Sequence, residues 1–295
     1  MNVRDGESLT SSSCAAGSAR WTHYFLAALL ALVIGSSCAS ATHLPEDAES
    51  GALQAHPGGY KEIVAHRGAN LIAPENTLAA AQACIDRNVD YLEVDVRTSK
   101  DGVFYVLHDR TLDRTTNGTG AIGDSLSSYI DTLDAGSWFG AGFEGEPVPR
   151  LEPFLKELRG KIKIYFDVKN ADLNKLVDLV YATGFERNSF FWFSDDSKAT
   201  ELRRIDKSLN LKITAQSVEA LERALAYDPQ IIECRLEALT PEFVALCRKQ
   251  GLKIMVNSLK TNPEQDYPKI IRSPADMVNL DDVDLMVDLM ERSRR

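Results

Sequence analysis

Residues 90–109 read "DYLEVDVRTSKDGVFYVLHD", two β-rich runs on either side of Asp101-Gly102. Asp-Gly between extended runs is the composition of a two-residue hairpin turn. Too few residues separate the runs for a parallel crossover, which takes about a dozen or more. Residues 91–97 and 103–108 are therefore expected to pair antiparallel, and that pairing decides the fold. From Lys61 onward nine strand-like runs can be counted, most of them followed by a helical pattern. With one run set aside as the hairpin partner, eight remain for parallel βαβ units. Eight such units close into a barrel.

The helices are expected from near Asn76, across 172–183, 196–206, 218–227, 241–250 and 263–272, and at the C-terminus. The Gly-rich stretch 114–149 lacks this rhythm. The fold class is thus α/β, a distorted (β/α)8 TIM barrel, with a small insertion at about 110–149 after the second histidine motif. An open doubly wound sheet is the rival, but no Gly-x-Gly-x-x-Gly fingerprint follows any strand.

The hairpin also has chemical content. With Asp101 and Gly102 as the turn, Asp95 faces His108, and Glu93 lies on the same face because side chains alternate along a strand. Two carboxylates and an imidazole in otherwise apolar strands are costly to bury unless something positive sits among them. A hard cation with oxygen ligands is the natural occupant, and carboxylates suit Mg2+ and Ca2+ alike. A third carboxylate, Asp167 of "IYFDVK", stands near the end of the fourth barrel strand, with Lys169 two residues on. In parallel barrels the functional side chains gather at the strands' C-terminal ends. Lys169 is placed there to meet an anionic substrate or to pair with a carboxylate. "AHRGANLIAPENT" at 65–77 delivers His66 and Arg67 to the end of the first strand. Asn76 and Thr77 are candidates to cap the helix that follows, and Glu75 to brace Arg67. A buried salt bridge is an adequate account of Asp167 and Lys169 alone. It is a poor one for His66, Arg67, Glu93, Asp95, His108 and Asp167 together.

The chain has 295 residues, 44% hydrophobic and 26% charged, with a formal net charge of −10. That is a globular composition with no broad basic face, so a nucleic-acid partner is not expected. "WTHYFLAALLALVIGSSCASA" follows Arg20 and carries a twelve-residue apolar stretch from Tyr24 to Gly35. The stretch is short of the roughly 20 residues that span a bilayer. It has the grammar of an export signal over 1–41, with small residues Ala39 and Ala41 at the cleavage position. The protein is expected outside the cytoplasm, periplasmic or extracellular, and tethered to a membrane only if Cys38 is lipidated. Residues 42–60 read as a linker, His43 and His56 as solvated, and 61–295 as the catalytic domain. Cys84, Cys234 and Cys247 match no zinc spacing and sit in apolar settings, as buried free thiols do. "FFWF" at 190–193 reads as a strand buried on both faces. Trp138, Phe139 and Phe143 are expected to pack the insertion onto the barrel.

"VAHRGANLIAPENTLAA", "LEVDVRTSKDGVFYVLHDRTLDRTTNGTG" and "FDVK" resemble the glycerophosphodiester phosphodiesterase family. The resemblance runs from about Ile63 to about Asp281 and takes in Val256-Asn257. It implies a metal-dependent hydrolase cleaving glycerophosphodiesters to glycerol 3-phosphate and an alcohol, with one divalent cation and a small-molecule phosphodiester substrate. By position, His66 and His108 match the acid–base histidines and Arg67 the phosphate-contacting arginine. Glu93, Asp95 and Asp167 match the metal ligands. The chain departs from the family at Asp167, where glutamate is usual. The missing methylene implies an ion drawn toward Asp167 or reached through water. It departs again at 255–257, where "MVN" replaces a Trp-containing segment. Lysophospholipase D-type cleavage of lipid-bearing diesters and non-catalytic binding of a phosphate ester are the alternatives.

Overall fold

A computed structural model describes residues 60–294. The expected export signal with Cys38, and all of the linker before Tyr60 with His43 and His56, lie outside those residues. The strands are β1 (Glu62–Ala65), β2 (Tyr91–Thr98), β3 (Phe104–Val106), β4 (Lys163–Val168) and β5 (Ser189–Trp192). They continue as β6 (Asn210–Thr214), β7 (Ile231–Cys234), β8 (Lys253–Asn257) and β9 (Met277–Leu280). All but β3 are parallel and run in the order β1-β9-β8-β7-β6-β5-β4-β2, closed by pairing of β1 with β2. This is an eight-stranded TIM barrel, with β3 as the antiparallel partner outside the count.

Helices follow each barrel strand. They are α1 (Leu78–Asp86), the short α2 (Ser127–Ile130), α3 (Leu151–Leu158), α4 (Leu173–Thr183) and α5 (Asp196–Ile205). The last four are α6 (Val218–Ala224), α7 (Pro241–Lys249), α8 (Pro263–Arg272) and α9 (Val283–Ser293). Helix α4 shows why these segments are helical. Leu173, Leu176, Val177 and Val180 recur at helical spacing and are buried against the barrel, while Asp172 caps the backbone N–H groups of Asn174 and Lys175. Each such leucine contributes about 1.5–3 kcal/mol by leaving water. Helix α3 was not among the expected helices. Its buried positions Leu151, Phe154, Leu155 and Leu158 carry the period, but over only eight residues.

The hairpin forms in a different register from the expected one. Thr98 stands opposite Phe104, Arg97 opposite Tyr105 and Val96 opposite Val106. The backbone N–H of Leu107, not of His108, donates to the Asp95 carbonyl at 2.9 Å. The turn holds three residues, 100–102, between Ser99 and Val103, with Gly102 in the left-handed region at φ 85°. The cause is Asp101, whose carboxylate accepts from the Ser99 hydroxyl and from both N–H and hydroxyl of Ser127 at the start of α2. His108 thus lies beyond β3, and a loop rather than a strand pairing places it.

Alternation divides the barrel into two cores. Ile164, Phe166 and Val168 of β4 face the helices. Tyr165 faces inward with Val64, Tyr91, Phe190, Ile231, Met255 and Met277. Phe190 inward and Phe191 outward make β5 buried on both faces, as expected. Below this apolar layer Glu62 pairs with Lys163 at 3.0 Å and Lys253 at 2.5 Å. The insertion has a core of its own, formed by Tyr105, Leu107, Leu112, Ile122, Ile130, Leu133, Ala135 and Val148. Trp138, Phe139 and Phe143 stack edge-to-face on one another and Trp138 stays exposed, so the row packs on itself. Cys84, Cys234 and Cys247 are buried free thiols.

Candidate active site

The site is built at the ends of β1, β2 and β4. After Ala65 the chain reverses through Arg67 and Gly68, both left-handed at φ 57° and 85°. A side chain at position 68 would meet the Ala80 Cβ at 2.7 Å, so only glycine lets α1 approach. Arginine at φ 57° stores strain, a cost of about 1–3 kcal/mol that surrounding structure must hold in place. Here the turn aims the Arg67 backbone N–H at the Glu93 carboxylate, 2.5 Å away. The Arg67 guanidinium donates to Glu75 at 3.0 Å and lies 3.7 Å from Asp95. Glu75 therefore braces Arg67, as expected.

Asn76 does not cap α1. Thr77 does, accepting from the Ala80 N–H at 3.2 Å. Asn76 is left-handed too, at φ 59°, and buried. Its amide donates to the Asp95 carboxylate at 2.7 Å and accepts from the Asp95 N–H at 3.3 Å. Beside it the β1–β2 join is short. Only Val64 with Tyr91 and Ala65 with Leu92 are paired, whereas β2 and β4 are paired from Tyr91 to Val96.

Glu93 and Asp95 point inward from β2, and Asp167 stands opposite Asp95 in the β2–β4 register. All three are buried, and one ligand oxygen from each lies within 4.8 Å of the others. The shorter aspartate at 167 still reaches the cluster. Burial, then Asp95 and Asp167, push the Glu93 carboxyl well above its ordinary range. Burial and then Asp95, against the opposing Lys169, push Asp167 up to about 6. Lys169 donates to Asp167 at 2.6 Å and lies 3.1 Å from Asp95. Burial opposes its charge, yet Asp95 and Asp167 outweigh that and raise its pKa. Of the two roles open to Lys169, the structure shows pairing with carboxylates. Lys169 is the cation set among these three carboxylates, and the Arg67 guanidinium 3.7 Å from Asp95 is shared with Glu75. Asp167 Oδ1 is buried with no hydrogen bond, and Asp95 Oδ1 makes none either, although the Lys169 ammonium lies 3.1 Å from it. Three buried carboxylates converging on one spot, with oxygens that lack donors, fit a hard divalent cation.

Both imidazoles are oriented by carboxylates. The Nδ1 of His66 is 2.7 Å from Asp281, which also accepts from Asn70 at 2.6 Å. The Nδ1 of His108 is 2.7 Å from Asp109, and Arg97 donates to the His108 carbonyl at 2.7 Å. A carboxylate accepting from Nδ1–H leaves Nε2 as the proton-exchanging atom of each ring. Burial lowers the His108 pKa, against the opposing pull of Asp95 and Asp109. Arg114, from the insertion, donates to both Asp109 and Glu75.

The structure thus brings together Arg67, Glu93, Asp95, Asp167 and Lys169, with His108 within electrostatic reach of Asp95, Arg67 and Lys169, and His66, next to Arg67 in the chain, held at Asp281. Sequence reasoning missed Asn70, Asp109, Arg114 and the site role of Asn76, and had Asp281 only through the family resemblance. Asp281 was legible from β9, where Met277, Asn279 and Asp281 keep the inward period. At the second departure, Met255 joins the inner apolar layer, and Asn257 donates to Glu233 at 3.1 Å.

Fold and site together define the class, an α/β-barrel phosphodiesterase. The sequence matches the glycerophosphoryl diester phosphodiesterase family over residues 66–285. The chain belongs to that family. A glycerophosphodiester phosphodiesterase from Caldanaerobacter subterraneus subsp. tengcongensis is 28% identical over 243 residues, covering 78% of this chain and 98% of the relative. A shorter match, 46% identical over 107 residues, covers 36% of this chain and 44% of a Bacillus subtilis relative, YhdW. The crystal structure of a glycerophosphodiester phosphodiesterase from Agrobacterium tumefaciens superposes with a TM-score of 0.72 at 41% identity. It covers 78% of this chain and all of that one.

Proposed function

We propose that this protein hydrolyses glycerophosphodiesters to glycerol 3-phosphate and an alcohol, using one divalent cation, Mg2+ or Ca2+. The observation that carries the reading is the pair of carboxylate-oriented imidazoles beside a buried three-acid cluster. Binding alone needs no such pair.

Glu93, Asp95 and Asp167 would hold the cation, which would supply positive charge to the phosphoryl oxygens. Arg67 contacts the phosphate, fixed in direction by Glu75. One imidazole takes, through Nε2, a proton from the attacking oxygen as the new P–O bond forms; that oxygen belongs either to water or to a neighbouring substrate hydroxyl, whose cyclic phosphate water then opens. The other gives a proton to the departing alkoxide as the old P–O bond breaks. Histidine's pKa near neutrality suits both tasks. Asp281 and Asp109 hold the rings in the required tautomer. Lys169 supplies positive charge to Asp95 and Asp167 and limits their repulsion. The expected signal at 1–41 supports export, with the reaction taking place outside the cytoplasm.

The test is release of glycerol 3-phosphate from glycerophosphodiesters, with and without chelator, repeated on lysophospholipids. Chelator-sensitive release from the water-soluble diesters is expected. Turnover of lysophospholipids alone would replace the reading with a lysophospholipase D activity, and no turnover of either would leave a binding protein.

A further inference from the structure

Arg114 belongs to the insertion, yet its guanidinium makes four hydrogen bonds to the two carboxylates that orient site residues. Nε donates to Asp109 at 2.6 Å and Nη2 to the same carboxylate at 3.2 Å. Nη1 and Nη2 donate to the two oxygens of Glu75, at 2.8 and 2.7 Å. Asp109 in turn holds the His108 Nδ1, and Glu75 holds the Arg67 guanidinium.

We propose that Arg114 is a positioning residue, one planar fork that sets His108 and Arg67 relative to each other through Asp109 and Glu75. Those two residues lie in different loops, after β3 and after β1, with no strand pairing between them. Two carboxylates converging on one spot repel, and a guanidinium that grips both removes the repulsion and fixes their planes. The backbone carrying Arg114 is itself held. Leu112 is fully buried in the insertion core, and the Thr116 hydroxyl donates back to the Leu112 carbonyl at 2.6 Å. The insertion therefore presents the strut at a fixed place, although the Arg114 side chain is 43% exposed. That exposure leaves the slot open to a small cation.

The proposal rests on the phosphodiesterase reading for its activity assay and on a second, turnover-free readout for itself. Arg114→Ala is expected to lower kcat/KM for a glycerophosphodiester by about 10- to 100-fold, a loss of the size typical when an outer partner of a site residue is removed. Methylguanidine at millimolar concentration is expected to restore part of that loss in Arg114→Ala and to do nothing for the wild type. The unfolding temperature separates this from mere destabilisation, which methylguanidine does not repair. Arg114→Lys keeps the charge but cannot hold both carboxylates in plane, so its rate also falls, and it covers the case of an alanine variant that does not fold. An Arg114→Lys or Arg114→Ala enzyme within about twofold of wild type, or a loss that methylguanidine leaves untouched, overturns the proposal. Should the wild type release no glycerol 3-phosphate, the activity reading fails separately. The ring 15N signals of His108 then decide, since Arg114→Ala must change its Nδ1–H signature.

Discussion

Asp167 carries a prediction that can be worked through from its surroundings. Its carboxyl is pushed up from 3.8 to about 6, by burial first and by Asp95 second. The folded chain therefore keeps a proton at pH 5 that the unfolded chain has mostly released. A carboxyl whose folded pKa is raised favours the fold at low pH and costs stability as pH climbs from 3.8 to 6. The gap amounts to about 3 kcal/mol by pH 7, at 1.36 kcal/mol for each pH unit. For a domain of this size that is about 6–12 °C in Tm. Glu93, also raised, acts in the same direction, while His108, lowered chiefly by burial, opposes both as pH falls below the ordinary histidine range. Glu75, Asp109 and Asp281 are held below their ordinary range and lose their contributions only at more acid pH. With the cation chelated, calorimetry should thus show a higher Tm at pH 5 than at pH 7.5. Mg2+ or Ca2+ at millimolar concentration should raise the Tm at pH 7.5 and do little at pH 5. Asp167→Asn should flatten both effects. A chelated protein whose Tm rises from pH 5 to pH 7.5, with Asp167→Asn indistinguishable from it, would refute the reasoning.

Two further outcomes are expected. His66→Ala and His108→Ala should each lower kcat/KM by about 10²–10⁴ in the glycerol 3-phosphate release assay while melting like the wild type. Asn76→Ala removes a donor from a buried carboxylate and should cost about 2–3 kcal/mol in urea unfolding, with weaker retention of the cation in a dialysis measurement.

The barrel was legible because its evidence is periodic. The alternation of β4 and the helical spacing of α4 each repeat over enough residues to override local ambiguity. The hairpin was legible as a hairpin but not in register. Asp101-Gly102 announces a tight turn, yet only the distant Ser127 explains why Asp101 joins a three-residue loop. The first ring of side chains was legible for a similar reason, since Glu93, Asp95 and Asp167 are charges out of place in apolar strands. The supporting ring was not. Asn76, next to Thr77 and before a helix, carries an ordinary capping signal, and its left-handed φ and its bond to Asp95 arise only in three dimensions. Arg114 sits in a polar Gly-rich stretch where an arginine excites no suspicion, and its meaning comes from two loops folding toward it.

The pairing of β1 with β2 stops after two residue pairs, and further along that edge of β2 the amide of Asn76 accepts from the Asp95 N–H where a strand partner would stand. His66 leaves the bank formed by β1, and His108 leaves the bank formed by β3, which takes up the far end of the same edge of β2. A longer first strand would knit the wall shut and leave Arg67 no turn from which to reach Glu93, so the incomplete seam is what gives the chemistry its room.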